Sequence, residues 1–344
     1  MDDLGNLLKG GGGKLSLSDL VTAADILDVP VTYLTGQSSG EGNLAVSLRL
    51  GQAQESGVPV QALQYADMLL RQLRLLDLWQ GPQLSVLDGL GLDHSHMRKE
   101  AGQRSAGKVR DALALGDQPI HDLVQLVEDC AIPVAFQPLP ENIHGINVRD
   151  ERGGEVRRVI IVNACDYWTR QRFTLAHELC HGLYDDDGQI IINEVTPPDT
   201  LPEVRAESFA RYLLLPSEAL ASEVKVARTE QIQPAEFTAR LMLTYGVSRH
   251  VVFKALVEDG HVPAGDTRFA ILEKESIKIQ MARAGLDSKW DELCERQHEP
   301  SGSPRLVERA VRAYGEGLVD IAIVAELLGE DKDSVAQRLA EAGW

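Results

Sequence analysis

The sequence predicts an α+β chain: a small, mainly antiparallel sheet packed on one long helix, with all-helical regions before and after. Three observations lead there. Short β-branched runs cluster between residues 132 and 162. The last of them leads into a helical stretch that carries His177-Glu178-Leu179-Cys180-His181. On either side of this region, apolar residues recur at spacings of three and four.

Taken in order, Leu17, Leu20, Val21, Ala24 and Leu27 lie at helical spacing, with Ser16 and Asp19 suited to a capping box and Asp28-Val29-Pro30 as the stop. Gln37-Ser38-Ser39-Gly40-Glu41-Gly42 is a small-residue linker. A helix from about Pro59 to Trp79 places Leu63, Leu70, Leu73 and Leu76 on one face, and a shorter one fits Ser105 to Leu115. Ile132 to Gln137, Gly145 to Asp150 and Val156 to Val162 read as strands, the last two joined by a hairpin turn at Asp150-Glu151-Arg152-Gly153-Gly154. Val156 to Val162 is a candidate edge for an extended substrate to pair with, although its apolar run Val159 to Val162 suits a central strand.

The helix that follows spans Thr169 to Tyr184, with Phe173, Ala176, Cys180 and Leu183 as its apolar stripe. Asp185-Asp186-Asp187-Gly188 ends it, and Gln189 to Val195 reads as a further strand. Leu201 to Pro216 is a second amphipathic helix, with Pro202 in its first turn. Beyond it the chain is all helical: Pro234 to Thr244, Ser248 to Asp259, then, after a hydrophilic stretch near Glu299, Pro304 to Tyr314, Leu318 to Leu328 and Asp331 to Ala342. Few basic residues mark the last three, which favours packing or interaction over DNA reading.

Two histidines four apart share a helix face, so His177 and His181 can reach one metal ion at about 2.0–2.1 Å. Glu178 stands beside them as a general base for the metal-activated water, the zincin arrangement. Cys180 points to another face and reads as a core thiol. A catalytic zinc takes three protein ligands, so a third is needed. Asp187 is one candidate, though Tyr184 stands where a sharp turn would need glycine. Glu203 and Glu207, one turn apart on the second helix, are the others. His144, Tyr184 and Arg172 are candidates for stabilising the oxyanion, and Asn163 and Asp166 for orienting a histidine.

The stretch Arg170-Gln171-Arg172-Phe173-Thr174-Leu175-Ala176-His177-Glu178-Leu179-Cys180-His181, followed by Glu203, Ala206, Phe209, Ala210, Leu213, Leu214 and Pro216 at their spacings, closely resembles the ImmA/IrrE family of bacterial metallopeptidases. Pro119-Ile120, Pro138-Leu139-Pro140-Glu141 with Gly145, and Tyr245-Gly246-Val247-Ser248 extend the likeness over about residues 110 to 262. The resemblance implies a zincin-like fold, a Zn²⁺ cofactor and Glu203 as third ligand. One departure is Glu207, where the family often has asparagine. It also implies a substrate, an XRE-type transcriptional repressor whose cleavage switches on gene expression. Ser16 to Gly36 resembles the closing helices of an XRE-type helix-turn-helix, of which only the second half fits. The expected organisation is therefore 1–36 a partial helix-turn-helix remnant, 37–109 linker and helices, 110–262 the zincin-like peptidase domain, and 263–344 a helical C-terminal module.

Composition fits a cytoplasmic regulator. A net charge of −18 argues against broad nucleic-acid contact, since phosphate binding draws on Lys and Arg. Four cysteines without paired spacing suggest reduced thiols. Neither a signal-peptide core nor an 18-residue apolar stretch is present, so no membrane partner is expected. A second reading is a non-proteolytic regulator that binds protein or DNA on a zincin scaffold.

Overall fold

Strand β3 (Arg157–Asn163) lies at the centre of the sheet, which corrects the expectation that this run forms an edge. Its composition gives the reason. Ile160 and Val162 enter the core on one face of the sheet, while Val159 and Ile161 enter a second core on the other. A strand buried on both faces needs an unbroken apolar run, whereas an edge strand with one wet face would alternate. The computed structural model describes residues 59–95, 98–151, 155–184, 190–194, 200–296 and 300–343. The helix-turn-helix remnant, the linker at Gln37–Gly42 and most of the turn after Asp150 lie outside these residues.

Among the described residues the sheet has four strands in the order β1-β3-β2-β4. β1 (Val134–Gln137) runs parallel to β3; β2 (Ile143–Asp150) is antiparallel to both β3 and β4 (Ile190–Glu194). β4 is thus one edge. The opposite edge, β1, carries a short bridge in which Phe136 and Ser301 exchange both backbone hydrogen bonds at 2.9 Å.

One face of the sheet is covered by α4 (Trp168–Tyr184), the helix of the His-Glu motif, with α3 (Leu123–Asp129) beside it. Against α4 lies α5 (Leu201–Leu214), and against α5 lies α2 (Arg98–Ala112). α2 begins about two turns earlier than its sequence suggests. Its inward residues Ala101, Gly102, Ser105 and Ala106 form a small-residue stripe, not an apolar one, which lets the two helices approach closely. A Cβ on Gly102 would stand 2.3 Å from the Arg205 carbonyl oxygen.

The other face is covered by α1 (Val60–Gln80) together with C-terminal α12 (Pro304–Gly315), α13 (Ile321–Leu328) and α14 (Lys332–Glu341). Leu63, Leu70 and Leu76 share one apolar cluster with Ile146, Val148, Ile161, Leu306 and Val335. The Glu128 carboxylate fastens this layer to the sheet. It accepts from Ser303 Oγ at 2.5 Å, Arg305 N at 3.0 Å and Val134 N at 3.2 Å. Burial raises its pKa, and these donors oppose the shift.

The remaining helices, α6 (Ser217–Glu230), α7 (Pro234–Tyr245), α8 (Arg249–Glu258), α9 (Thr267–Lys274), α10 (Ile277–Arg283) and α11 (Asp287–Arg296), extend the core on the α4 side. α6 and α9–α11 were not anticipated. The last three are at most ten residues long, too short for periodicity to show. α11 docks through Trp290, whose ring tilts against Trp168 at a centroid distance of 5.6 Å.

Candidate metal centre

Three side chains converge where α4 meets α5. His177 and His181 face each other with Nε2 atoms 3.0 Å apart. Glu203, in the first turn of α5, brings Oε2 to 3.2 Å from His177 Nε2 and Oε1 to 3.4 Å from His181 Nε2. These separations suit a cation. Ligands at about 2.05 Å from a tetrahedral zinc lie about 3.3 Å from one another, and each imidazole nitrogen stands close to that distance from the other imidazole and from one Glu203 oxygen. Within the triad all the converging atoms are electron donors, and a metal ion satisfies all three together. His177 and His181 are buried, whereas the Glu203 side chain keeps 30% of its surface exposed, so the approach from outside is past this carboxylate.

Glu178 is wholly buried beside the pair, and neither of its carboxylate oxygens has a hydrogen-bond partner among the described residues. Burial raises its pKa; the two imidazoles pull it down, and Glu203 adds to the rise. A carboxylate placed this way is a strong acceptor that holds back its basicity for a group entering the site. β2 frames it. Gly145 brings the backbone so near that an added Cβ would stand 2.6 Å from Thr174 Cγ2 and 3.3 Å from Glu178 Oε1. Asn147 Nδ2 donates to the Glu178 carbonyl at 3.1 Å, pinning strand to helix.

The other candidates fall elsewhere. Glu207 forms an ion pair with Lys254 of α8, one turn away from the triad. Asp187 lies outside the described residues. Arg172 Nη2 donates to the Ile120 carbonyl at 2.5 Å, and its guanidinium packs under Gly246 (φ +65°), where a Cβ would stand 2.2 Å from Nε. Tyr184 shares a 2.6 Å hydrogen bond with Ser105 Oγ, donates to the Asp93 carbonyl at 2.8 Å, and lies 3.6 Å under the Arg205 guanidinium. Both are structural: Arg172 braces the loop before α3, and Tyr184 ties α4 to α2 and α5. Asn163 holds the chain around β3. It accepts from Leu139 N and Cys165 N and donates to the Ile143 carbonyl at 2.8 Å. Asp166 does orient a histidine, but that histidine is His144, at 2.8 Å from Nδ1. Cys180 is buried in the core. No sequence signal pointed to the Tyr184–Arg205 contact, because it joins elements with no shared pattern.

A sheet packed on a His-Glu-x-x-His helix, with a glutamate from the next helix facing both histidines, defines a zincin-like peptidase domain. Residues 128–256 match the family model of peptidase M78, described as the IrrE N-terminal-like domain. Over these residues the chain is similar to the ImmA/IrrE family. A comparison with curated proteins finds no significant match. Among the described residues, no helix is long and apolar enough to cross a membrane.

Proposed function

We propose that this chain is a cytoplasmic zinc metalloendopeptidase that cleaves an XRE-type transcriptional repressor and so switches on gene expression. The observation that carries the reading is the triad His177, His181 and Glu203 at tetrahedral-edge spacing with the buried Glu178 beside it. Zinc held by the triad supplies Lewis acidity toward a water and a peptide carbonyl. Glu178 takes the proton of the attacking water and passes it to the leaving amine. Its burial fits both steps, because a raised pKa brings the carboxyl nearer the pH at which it must accept and then release a proton. The repressor as substrate rests on what the resemblance of the domain to the ImmA/IrrE family implies.

The test is to incubate the purified chain with the repressor encoded beside its gene, with zinc, with a chelator, and as the Glu178→Ala protein. Cleavage is expected with zinc alone. The Glu178→Ala protein should retain its zinc and lose about 10²–10⁴-fold in rate. Cleavage that survives Glu178→Ala sinks the mechanism; no cleavage under any condition favours a binding regulator. Zinc content measured with and without Glu203→Gln checks the third ligand.

A further inference from the structure

His144 is a buried, chemically able group that the scheme above leaves unused. It sits at an irregularity in β2. Ile143 lies opposite Glu194 of β4 and Gly145 opposite Asn193, so two steps along β2 match one along β4 and His144 is the extra residue of a bulge. The bulge breaks the alternation of the strand. Ile143 and Ile146, three apart, both enter the apolar cluster on the α1 face. Between them Gly145 faces Glu178 of α4, and His144 reaches Asp166 in the connection from β3 to α4. A bulge re-aims a side chain in this way at the cost of ladder pairing.

The ring is held by one nitrogen and open at the other. Nδ1 is 2.8 Å from Asp166 Oδ2, and the side chain is 9% exposed. Nε2 is buried and has no hydrogen-bond partner among the described residues. An unpaired buried polar atom costs free energy that a folded chain ordinarily avoids, and two such groups, Glu178 and His144, flank Gly145 of one strand. Arg172 and Tyr184, the other oxyanion candidates, are engaged with backbone and hydroxyl groups.

We propose that His144 is a further catalytic residue, which donates from Nε2 to the scissile carbonyl oxygen as that oxygen gains charge. Asp166 is its positioning residue: it accepts from Nδ1 and fixes the ring. The proposal rests on the peptidase reading above.

The test uses the zinc-loaded full chain and two probes followed by calorimetry: a phosphinic pseudodipeptide, whose tetrahedral oxyanion mimics the transition state, and the matching peptide hydroxamate. His144→Ala should weaken the phosphinate by about 10- to 100-fold, the value of a hydrogen bond to a charged group, and leave hydroxamate affinity and zinc content unchanged. His144→Gln, which keeps an N–H donor, should recover part of the loss, and Asp166→Asn should fall between. Equal phosphinate affinity in wild type and His144→Ala overturns the proposal, as does an equal loss of both probes, which marks a merely structural histidine. A wild-type chain that binds no more zinc than Glu203→Gln instead overturns the metal-site reading itself.

Discussion

At the scale of the residue, the centre depends on groups whose partners are few. Glu178 is buried with open oxygens because Gly145 lets β2 pass close above it; any side chain at 145 would meet Thr174 and then the Glu178 carboxylate. Cys130 shows the same burial acting on an ordinary core residue. Its thiol is pushed up to about 12, chiefly by burial, with Asp129 adding repulsion. The unfolded chain releases this proton near pH 8.5, so the folded state binds more protons above that pH and stability falls as pH rises, levelling off near 12. Cys130→Ala should remove this share of the decline. Urea midpoints for both proteins from pH 7 to 10 check it: the gap between them should be constant below about pH 8.5 and shrink above it. A gap independent of pH refutes it.

Among the elements, the spacing of α2, α5 and α4 decides where Glu203 stands. α2 presses its small-residue stripe on α5 so that Gly102 faces the backbone of Arg205 and Phe209 and Ser208 Cβ. Tyr184 of α4 and Arg205 of α5 stack at 3.6 Å, and Ser105 of α2 bonds the Tyr184 hydroxyl. These three contacts set the register that brings Glu203 onto the histidines. Gly102→Ala drives a methyl into backbone that cannot yield, so it should cost about 1–3 kcal/mol of stability. It should also weaken zinc binding by shifting α5, although residue 102 touches no ligand. Thermal unfolding and a chelator competition assay on the same preparation measure both. Zinc affinity equal to wild type would show that α5 is placed by α4 alone.

For the whole molecule, the sheet is covered twice, and the second cover comes from the two ends of the described chain. α1 and α12–α14 meet over Ile143, Ile146, Val148, Val159 and Ile161, latched by Glu128 and the Phe136–Ser301 bridge. Removing residues 300–344 would bare that apolar face. The shortened chain should aggregate or melt at markedly lower temperature even though every candidate metal ligand remains; a truncated protein that melts like the full chain would refute the shared core. Much of this molecule was legible in its sequence. His177 and His181 were placed by helix period, Glu178 by its neighbour, and the strands and long helices by apolar spacing, because these are local properties of the chain. Period alone left three carboxylates open for the third ligand, two of them one turn apart, and the family resemblance pointed to Glu203. The contact of α5 with α4 turns Glu203 to the histidines and Glu207 to Lys254. β3 was ambiguous for a related reason: an apolar run records that both faces are covered, not which strands flank it. His144 was one of three oxyanion candidates by sequence alone; its open Nε2 and its place at the β2 bulge came only with the fold. Sequence fixes period and chemistry along one chain; which groups meet across elements is set by packing, and only the tertiary structure holds that information.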